Sequence, residues 1–461
     1  MNALIVICGL GVVSLIAEVA NAKKWLTGVI MAGLLVAGWL LTQEWNGSRH
    51  YYHNMVVFDN FSVAFTGLII AIGLLWFWMS RDYFKILAHR TDRSALVLFT
   101  IAGGIMMSCF NNMAMLFLGI EILSISLYVL AGSRKESRAS NEAAFKYFLM
   151  GSFATGFLLL GIAFVYGATG SFQVDTIAEF VLHHAGELPT FFHAGALLML
   201  VGLAFKISAV PFHFWAPDVY EGSPTSITAL MSTVVKIAAI AAFYRIFSVC
   251  FATIQPVWAT VLQGIMVLTL VVANITAVYQ NSVKRMLAYS SVGHVGYILL
   301  AFLSDHQGSA GTIFYYLAAY AVSSLASFTV LLALQNHEEN TTYDDFNGLY
   351  KRNPLLAVGM TIALLSLAGI PPLPGFFGKY LVFALAIEHG QIGFVILAII
   401  TSLIGVYYYF RVMIAMYFKD PAGGSVTVST TSQILVFILV IITFLLGLFP
   451  DGVVRLLGVA G

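Results

Sequence analysis

Charged residues are scarce in this chain. Only 9% of its 461 residues are Asp, Glu, Lys or Arg, whereas 60% are hydrophobic. A soluble domain carries roughly 25% charged residues, so this composition excludes a string of ordinary soluble domains. The 22 basic and 21 acidic residues leave a net charge of +1. Such a balance argues against a nucleic-acid partner.

Cysteine is scarce as well. Cys8, Cys109 and Cys250 lie far apart, with no CxxC spacing. This pattern indicates neither a disulfide framework nor a zinc or iron–sulfur site. The eleven histidines are scattered, and only His183 and His184 are adjacent, in a polar connection. We therefore expect no metal and no other cofactor in this chain.

Long apolar runs fill the chain instead. About 20 apolar residues cross a hydrocarbon layer some 30 Å thick. The N-terminal run lacks a basic start and a small-residue cleavage site, so we interpret it as a retained span and not a signal peptide. We predict an all-α polytopic membrane protein with about fourteen transmembrane helices, near residues 3–20, 25–42, 57–79, 94–110, 113–132, 143–167, 192–215, 224–249, 256–279, 286–303, 310–334, 354–388, 392–417 and 432–450.

The basic residues between these runs predict the orientation of the chain. Basic residues in short connections mark the cytoplasmic face of a membrane protein. Here the basic residues are concentrated in every second connection, starting with the first. The remaining connections and the two tails hold only Arg49 and Arg455. We therefore predict that both termini lie on the outer side of a bacterial inner membrane. The alternate connections, counted from the first, hold Lys23, Lys24, Arg81, Lys85, Arg90, Arg93, Arg134, Lys135, Arg138, Lys284, Arg285, Lys351, Arg352 and Lys419.

Several charged residues fall inside the apolar runs. A charge at the centre of a membrane helix costs roughly 2.5–3.5 kcal/mol on the insertion scale and marks a functional site by default. Arg245 and Arg411 lie close to span ends, where we expect their side chains to extend to the membrane interface. Glu142 and Lys146 are one helical turn apart and form either a surface ion pair or part of a proton relay.

Four residues lie too deep for those explanations, namely Glu121, Lys206, Lys236 and Lys379. Pro211 opens the seventh span just after Lys206, and a proline-rich break precedes Lys379 in the twelfth span. Irregular backbone at membrane depth is tolerated where it lines a cavity or is buried in protein. We therefore predict a polar path through the membrane, with water beside the two lysines of the broken spans.

The spacing of these residues predicts an internal repeat. Lys379 follows Lys206 by 173 residues, and the same offset leads from Glu121 to His294. Lys236 has no ionisable counterpart at this offset. Five spans separate the copies, so the second copy would cross the membrane in the opposite direction, as in many transporters. We predict three N-terminal helices in 1–93, a first repeat in 94–250, an inverted repeat in 251–420 and a C-terminal helix in 421–461.

Several motifs resemble one family of membrane proteins. LFLGIEILSISLYVL, GLAFKISAVPFHFWAPDVYEGSPTSITALMSTVVKIAA, NSVKRMLAYSSVGHVGY and SLAGIPPLPGFFGKYLVF are similar to segments of the antiporter-like proton-pumping subunits of respiratory NADH:quinone oxidoreductase, complex I. The resemblance covers roughly residues 94–420. It implies that other subunits bind NADH, flavin, iron–sulfur clusters and quinone. It also implies membrane neighbours that include antiporter-like subunits, with protons as the transported species.

The resemblance also implies roles for individual residues. Glu121 would be the acidic partner of Lys206, Lys236 the connecting lysine of the eighth span, and Lys379 the lysine of the twelfth span. His213 and His294 are either members of the hydrated axis or hydrogen-bonded buried histidines.

The distance between a buried ammonium group and a carboxylate sets how firmly the ammonium holds its proton. We therefore expect motion of Glu121 to load and unload Lys206. Protons would then pass through Lys236 and Lys379 to the outer side. Two other possibilities stay open: a subunit of a multisubunit cation/proton antiporter, and a structural scaffold whose buried charges move no protons.

Overall fold

A computed structural model describes residues 1–20, 23–81, 90–184, 186–304, 309–335, 342–421 and 424–458. These residues form helices joined by short connections, together with one antiparallel hairpin. The hairpin pairs β1 (Arg49–Tyr51) with β2 (Val56–Phe58), and Arg49 faces Phe58 across it. Lys85, which we counted among the predicted cytoplasmic residues, lies outside the described ranges.

The first helices run from the N-terminus to the first broken span. They are α1 (Asn2–Val19), α2 (Leu26–Thr42), α3 (Asn60–Met79), α4 (Arg90–Cys109), α5 (Met113–Ala131), α6 (Arg138–Thr169), α7 (Val174–His184) and α8 (Thr190–Lys206). The next helices are α9 (Trp215–Gly222), α10 (Thr225–Ser232), α11 (Val234–Tyr244), α12 (Gln255–Val278), α13 (Val283–Ser304) and α14 (Ser309–Leu334). The last are α15 (Leu349–Arg352), α16 (Pro354–Ala368), α17 (Pro374–Glu388), α18 (Ile392–Phe418), α19 (Thr430–Leu448) and α20 (Pro450–Gly458).

The predicted membrane spans appear as helices. Eleven described helices are long and apolar enough to cross a membrane, and α2, α8 and α16 are shorter apolar helices. Each predicted apolar run overlaps one of these helices, and the seventh and twelfth runs extend past theirs across a break. The prediction of an all-α polytopic membrane protein is therefore confirmed.

Local sequence signals explain where several helices begin and end. Asp59 caps α3 by accepting a hydrogen bond from the Ser62 amide, and the Ser62 hydroxyl accepts one from the Asp59 amide in return. Asn353 caps α16, whose first residue is a proline. Gly170 ends α6 with a φ of 68°, a conformation that glycine adopts at little cost. Such caps supply partners for backbone groups that have none within the helix.

Both predicted breaks are present. The seventh span stops at Lys206 and resumes as helix at Trp215, and the segment between them contains a cis Val210–Pro211 bond. The twelfth span stops at Ala368 and resumes at Pro374, with a cis Pro371–Pro372 bond in the connection. Proline has no amide hydrogen and clashes with the preceding turn, which accounts for both interruptions.

A third irregular span was not predicted. The segment Thr225–Cys250 is interrupted at Thr233, between α10 and α11, and continues after α11 as a π-helix, Arg245–Cys250. Neither proline nor glycine occurs in this segment. The amphipathic helices α7 and α20 were not predicted either. His183 and His184, which we placed in a polar connection, form the end of α7.

Contacts divide the chain into two compact units. The first contains Met1–Ser208 and Val234–Leu262, and the second contains Ala209–Thr233 together with the chain from Gln263 to the end of α20. In the first unit α6 packs closely on α8, because Gly161 and Gly195 leave room for the facing backbones. In the second unit α14 packs on α16 and α17, and α13 packs on α9 and α17. The predicted repeats are defined by symmetry, whereas these two units are defined by contacts. The units therefore do not test the repeat boundaries, which stay predictions.

Candidate functional site

Three of the predicted site lysines are buried within the two units. Lys206 is 4% exposed, Lys236 is 2% exposed and Lys379 is 7% exposed. A long, flexible lysine on a membrane helix near a surface would extend to water. These side chains do not, so each ammonium group depends on partners inside the protein.

In the first unit Lys206 contacts groups from two neighbouring helices. Its Nζ donates a hydrogen bond to Ser124 Oγ on α5 and lies 5.9 Å from the centre of the Tyr147 ring on α6. Glu121 precedes Ser124 by one helical turn and interacts with Lys206 electrostatically. The hydrogen-bond acceptor found for Lys206 within the described chain is therefore the Ser124 hydroxyl and not the Glu121 carboxylate.

In the second unit Lys379 binds across the break of its own span. Its Nζ donates to the Ala368 carbonyl and to Ser402 Oγ, each at 2.8 Å. The ring centre of Tyr297 lies 5.0 Å from the same nitrogen. Ala368 is the last residue of α16, whose free terminal carbonyl groups favour a cation. The break thus supplies a main-chain acceptor that an unbroken helix would not offer.

His294 lies in a cluster of tyrosines in the second unit. Its Nδ1 is 2.8 Å from the Tyr316 hydroxyl, and its Nε2 is 3.3 Å from the Tyr409 hydroxyl. Tyr409 also hydrogen-bonds Ser290, and the ring of Tyr320 lies 5.0 Å from the imidazole, centre to centre. Both nitrogens of this buried histidine therefore have hydroxyl partners that can exchange protons.

Lys236 and His213 lie next to irregular backbone. Lys236 is in α11, one turn after the interruption at Thr233. His213 is buried in the connection between α8 and α9, with its ring centre 4.5 Å from that of Phe214. Whether these two residues take part in a relay stays a prediction.

The prediction for Arg245 was wrong. Its side chain is buried, and its guanidinium donates two hydrogen bonds to the Asp59 carboxylate, at 2.6 and 2.8 Å, instead of extending to the interface. Its Nε donates to the Ser108 carbonyl at 2.9 Å. Burial alone raises the pKa of Asp59, but Arg245 and the hydrogen bonds from Ser62 outweigh it and hold the pKa below its ordinary value.

The other charges that we placed near span ends have local partners. Arg411 donates to the Val278 and Gln280 carbonyls at 3.2 and 3.1 Å, at the end of α12. Glu142 and Lys146 form an ion pair of 2.7 Å, with side chains that are 64% and 39% exposed. This geometry fits the surface pair we described, and a part in a relay stays a prediction.

No group of His, Cys, Asp and Glu that could hold a metal ion occurs among the described residues. The chemistry that the site offers consists of ammonium, imidazole, carboxylate and hydroxyl groups. All of these can bind or release protons or pass them along hydrogen bonds.

Sequence reasoning missed the immediate partners of the lysines. Ser124 and Ser402 are common residues of membrane helices and did not stand out. The 173-residue offset would have found two pairs of residues near the site. Ser124 and Tyr297 stand at this interval, and each contacts a lysine. Tyr147 and Tyr320 stand at the same interval, and their rings lie beside Lys206 and His294 respectively.

Comparison with known proteins shows relatives over the full length of the chain. Residues 110–405 match the family described as NADH:quinone oxidoreductase/Mrp antiporter, TM. NADH-quinone oxidoreductase subunit N from Cytophaga hutchinsonii is 44% identical over 458 residues, which are 98% of this chain and 98% of the relative. Subunit N from Flavobacterium psychrophilum is 42% identical, with 99% and 100% of the two chains covered.

Solved structures share the fold. A chain of respiratory complex I from Thermus thermophilus, solved with bound aureothin, is 31% identical with a TM-score of 0.85, and both chains are covered fully. A chain of the Mrp complex from Dietzia sp. DQ12-45-1b has a TM-score of 0.84 at 21% identity, covering 99% and 95% of the two chains. At that identity the likeness concerns the fold alone.

Broken membrane helices with buried lysines, and a family match over most of the chain, define an antiporter-like transmembrane subunit. More narrowly, the chain belongs to the NADH-quinone oxidoreductase subunit N family.

Proposed function

We propose that this chain is the subunit of a bacterial NADH-quinone oxidoreductase that moves protons across the membrane without redox chemistry of its own. NADH, flavin, iron–sulfur clusters and quinone would be bound by partner subunits, and neighbouring membrane subunits would flank the chain. The observation that carries this proposal is the set of three buried lysines, two of which donate hydrogen bonds to serine hydroxyl groups. In a chain that matches subunit N over its full length, such lysines are best explained as carriers of the transported proton.

The first unit would load a proton through Lys206. In the structure the ammonium group binds Ser124, while Glu121 lies one turn away on the same helix. Approach of the carboxylate would stabilise the charged ammonium, and withdrawal would favour release to the next group. Lys236, on the following membrane segment of this unit, would receive the proton.

The second unit would hold the proton at Lys379. The Ala368 carbonyl and Ser402 fix the ammonium at the break, and His294 offers an exchanging group within a hydroxyl cluster. Moving one proton against about 100 mV requires roughly 2.3 kcal/mol. A change of one or two hydrogen bonds at a buried charge is of that size, at about 1.5–3 kcal/mol each.

The chain would lie in the bacterial plasma membrane with both termini outside. The support for this orientation is the excess of Lys and Arg in alternate connections. A membrane-impermeant thiol reagent would test it on single cysteines placed at exposed Asp451 and at Lys351, in a chain whose own cysteines are replaced. Labelling at residue 451 in intact spheroplasts, with residue 351 protected, is expected. The reverse pattern would contradict the orientation.

Substitution of the lysines in the assembled complex tests the relay. Lys206→Ala, Glu121→Ala and Lys379→Ala should each lower the number of protons pumped per NADH in membrane vesicles. Glu121→Asp should do less harm than Glu121→Ala, because a carboxylate remains. Lys351→Ala is the matched control, since Lys351 is an exposed lysine outside the predicted spans. Normal proton-to-electron ratios in all three alanine variants, with normal assembly, would remove the relay.

A cation/proton antiporter subunit is the alternative function. The structural likeness to an Mrp complex chain is compatible with it but concerns only the fold. Purification in mild detergent separates the two functions. Recovery of quinone-reducing partner subunits supports the oxidoreductase, whereas their absence together with sodium sensitivity of a deletion strain supports the antiporter.

A further inference from the structure

Two arginines at the start of α4 form a site of their own in the first unit. Arg90 and Arg93 are three residues apart, so their side chains lie on the same side of the helix. Arg90 Nη2 donates a hydrogen bond to Thr27 Oγ1 on α2. Arg93 Nη2 donates to the carbonyl of Ser133, just after α5. We call these four residues the arginine site.

The arginine site has hydrogen-bond donors without an acceptor. Arg90 Nε, Arg93 Nη1 and the Ser133 hydroxyl are buried, and none of them has a hydrogen-bond partner in the part of the chain that the structure describes. The Arg93 side chain is the more deeply placed, with Arg93 only 8% exposed. Arginine keeps its charge at every physiological pH. Because buried polar groups nearly always have a partner, these donors indicate an acceptor from outside the chain.

The acidic residues nearby do not supply this acceptor. Glu18 forms an ion pair with Lys23. Asp92 is exposed, and residues one or two positions apart on a helix do not face each other, so it is directed away from both arginines. Arg81, exposed after the end of α3, acts on Arg90 as a further like charge. The site therefore favours an anion.

The depth of the arginine site is that of lipid headgroups. Trp25, the residue before α2, is 72% exposed, and Lys24 Nζ lies 5.9 Å from the centre of its ring. Exposed tryptophan is enriched at the level where membrane meets water. Thr27, which binds Arg90, lies only about 3 Å further along the chain axis. An anion at this depth can therefore belong to a lipid.

An exposed apolar strip on α5 leads to the same site. Its residues are three or four positions apart, so they share one face of the helix. Ser133 follows the last of them by four residues, which places the arginine site at the end of the strip. A free phosphate ion would make no use of this surface, whereas an acyl chain can lie along it. The strip consists of Leu118, Ile122, Ile125 and Val129.

We propose that the arginine site binds the phosphate group of an anionic phospholipid, whose acyl chain lies on the apolar strip of α5. Arg90 Nε and Arg93 Nη1 donate to the phosphate oxygens, a geometry to which guanidinium groups are suited. Basic pockets between membrane helices on the cytoplasmic side are a recurring type of headgroup site. The proposal goes beyond proton transfer and does not depend on it.

A high-resolution map of the assembled wild-type complex in phosphatidylglycerol nanodiscs tests the site directly. Phosphate density is expected within hydrogen-bond distance of Arg90 Nε and Arg93 Nη1, continuous with chain density along α5. An empty site would overturn the proposal. So would a carboxylate of a partner subunit at the two nitrogens, or an isolated phosphate without acyl density.

A photoactivatable phosphatidylglycerol, with its reactive group in the acyl chain, measures occupancy through labelled peptides of α5. In the assembled complex Arg90→Gln should lower this labelling at least several-fold, and Arg90→Gln combined with Arg93→Gln should lower it further. Arg90→Gln is the safer variant, because Arg90 is only half-buried. Unchanged labelling in both assembled variants would overturn the proposal, and the wild-type map decides if a variant fails to assemble.

Arg138→Gln is the matched control, because it removes the same charge from an exposed arginine of the same unit on the same predicted side of the membrane. It should label like the wild type, and a loss equal to that of Arg90→Gln would mean general attraction of anionic lipid without a site. Unlabelled phosphatidylglycerol should compete at least about tenfold better than phosphatidylcholine, a difference of about 1.4 kcal/mol. Inorganic phosphate should not compete, and displacement by it would identify a free anion as the ligand.

Discussion

The two broken spans carry their lysines on opposite sides of the break. Lys206 is the last residue of α8, before the interruption, whereas Lys379 lies on α17, after it. Lys379 nevertheless extends back to the Ala368 carbonyl at the end of α16. Both lysines are therefore associated with the C-terminal end of the first half-helix, where unpaired carbonyl groups carry partial negative charge.

The partners of the two lysines differ in kind. Lys206 has a hydroxyl partner and the Glu121 carboxylate within electrostatic reach. Lys379 has a main-chain carbonyl and a serine, which keep their charge at every physiological pH. If the proposed relay operates, the first site would respond to movement of Glu121. The second site would respond only to movement of the two half-helices or of Ser402.

The largest effect in this comparison is expected from Gly369→Ala. Gly369 has a φ of 86°, and an added Cβ would lie 3.0 Å from Cδ of Lys379. The change should cost roughly 1–2 kcal/mol of stability and also displace the lysine from the Ala368 carbonyl. We expect protons pumped per NADH to fall nearly as far as in Lys379→Ala.

Gly390→Ala isolates the contribution of the lysine contact. Gly390 has a similar φ of 75°, but nothing lies within 4 Å of the position of its added Cβ. This variant should lose comparable stability and still pump protons normally. If the two glycine variants pump equally well, the contact across the break has no part in proton transfer.

A smaller effect is expected from the serine partners, and it should be unequal. Ser124→Ala removes the hydroxyl that binds Lys206, whereas Ser402→Ala leaves Lys379 its carbonyl acceptor. A hydrogen bond to a charged group contributes about 1.5–3 kcal/mol, so Ser124→Ala should slow NADH-driven proton uptake several-fold and Ser402→Ala less. Ser126→Ala, at a second buried serine of α5, serves as the control. Equal slowing by Ser124→Ala and Ser402→Ala would refute the difference between the two sites.

The smallest effect concerns the membrane segment that carries Lys236. This segment has no proline break, and it is held by the ion pair between Arg245 and Asp59. Asp59→Asn should lower stability at neutral pH by about 1–2 kcal/mol, a modest amount because the Asp59 side chain is 36% exposed and solvent screens the pair. The pKa of Asp59 lies below its ordinary value of 3.8. Its stabilising contribution is therefore present above that ordinary value and is lost as the pH falls through the lower, folded-state pKa.

Thermal unfolding of the detergent-solubilised complex at a series of pH values measures this contribution. The difference in midpoint between wild type and Asp59→Asn should shrink towards acid pH. Asp451→Asn, at an exposed acidic residue, should show no comparable difference. A gap that widens on acidification would mean that Asp59 is not stabilised by Arg245.

Features written in local sequence were predictable. The length of the apolar runs predicted the membrane helices. Pro211 and the proline-rich segment before Pro374 predicted the two breaks, because proline interrupts a helix when it stands in the interior. The deep positions of Lys206 and Lys379 followed from their distance to any polar connection. All of these depend on residues that are close neighbours in the chain.

Features that depend on distant residues were not predictable. Arg245 stays inside because Asp59, 186 residues earlier, offers it a carboxylate. The interruption at Thr233 occurs in a segment without proline or glycine, so no local residue indicated it. Ser124 becomes the acceptor of Lys206 only through packing of α5 near α8, which no single-sequence pattern encodes. The electrostatic interaction between Glu121 and Lys206 was expected, but the hydrogen bond from Lys206 to Ser124 was not.

The carbonyl at the end of α16 has a consequence for how energy reaches the second unit. A peptide oxygen cannot be titrated, and no side-chain substitution at Ala368 deletes it. The hydrogen bond from the Lys379 ammonium to this oxygen can therefore change only through the distance and angle between the two groups. If Lys379 carries the proton as proposed, work delivered to this unit would arrive as a displacement of one half-helix relative to the other, or of Ser402, and so as a mechanical input.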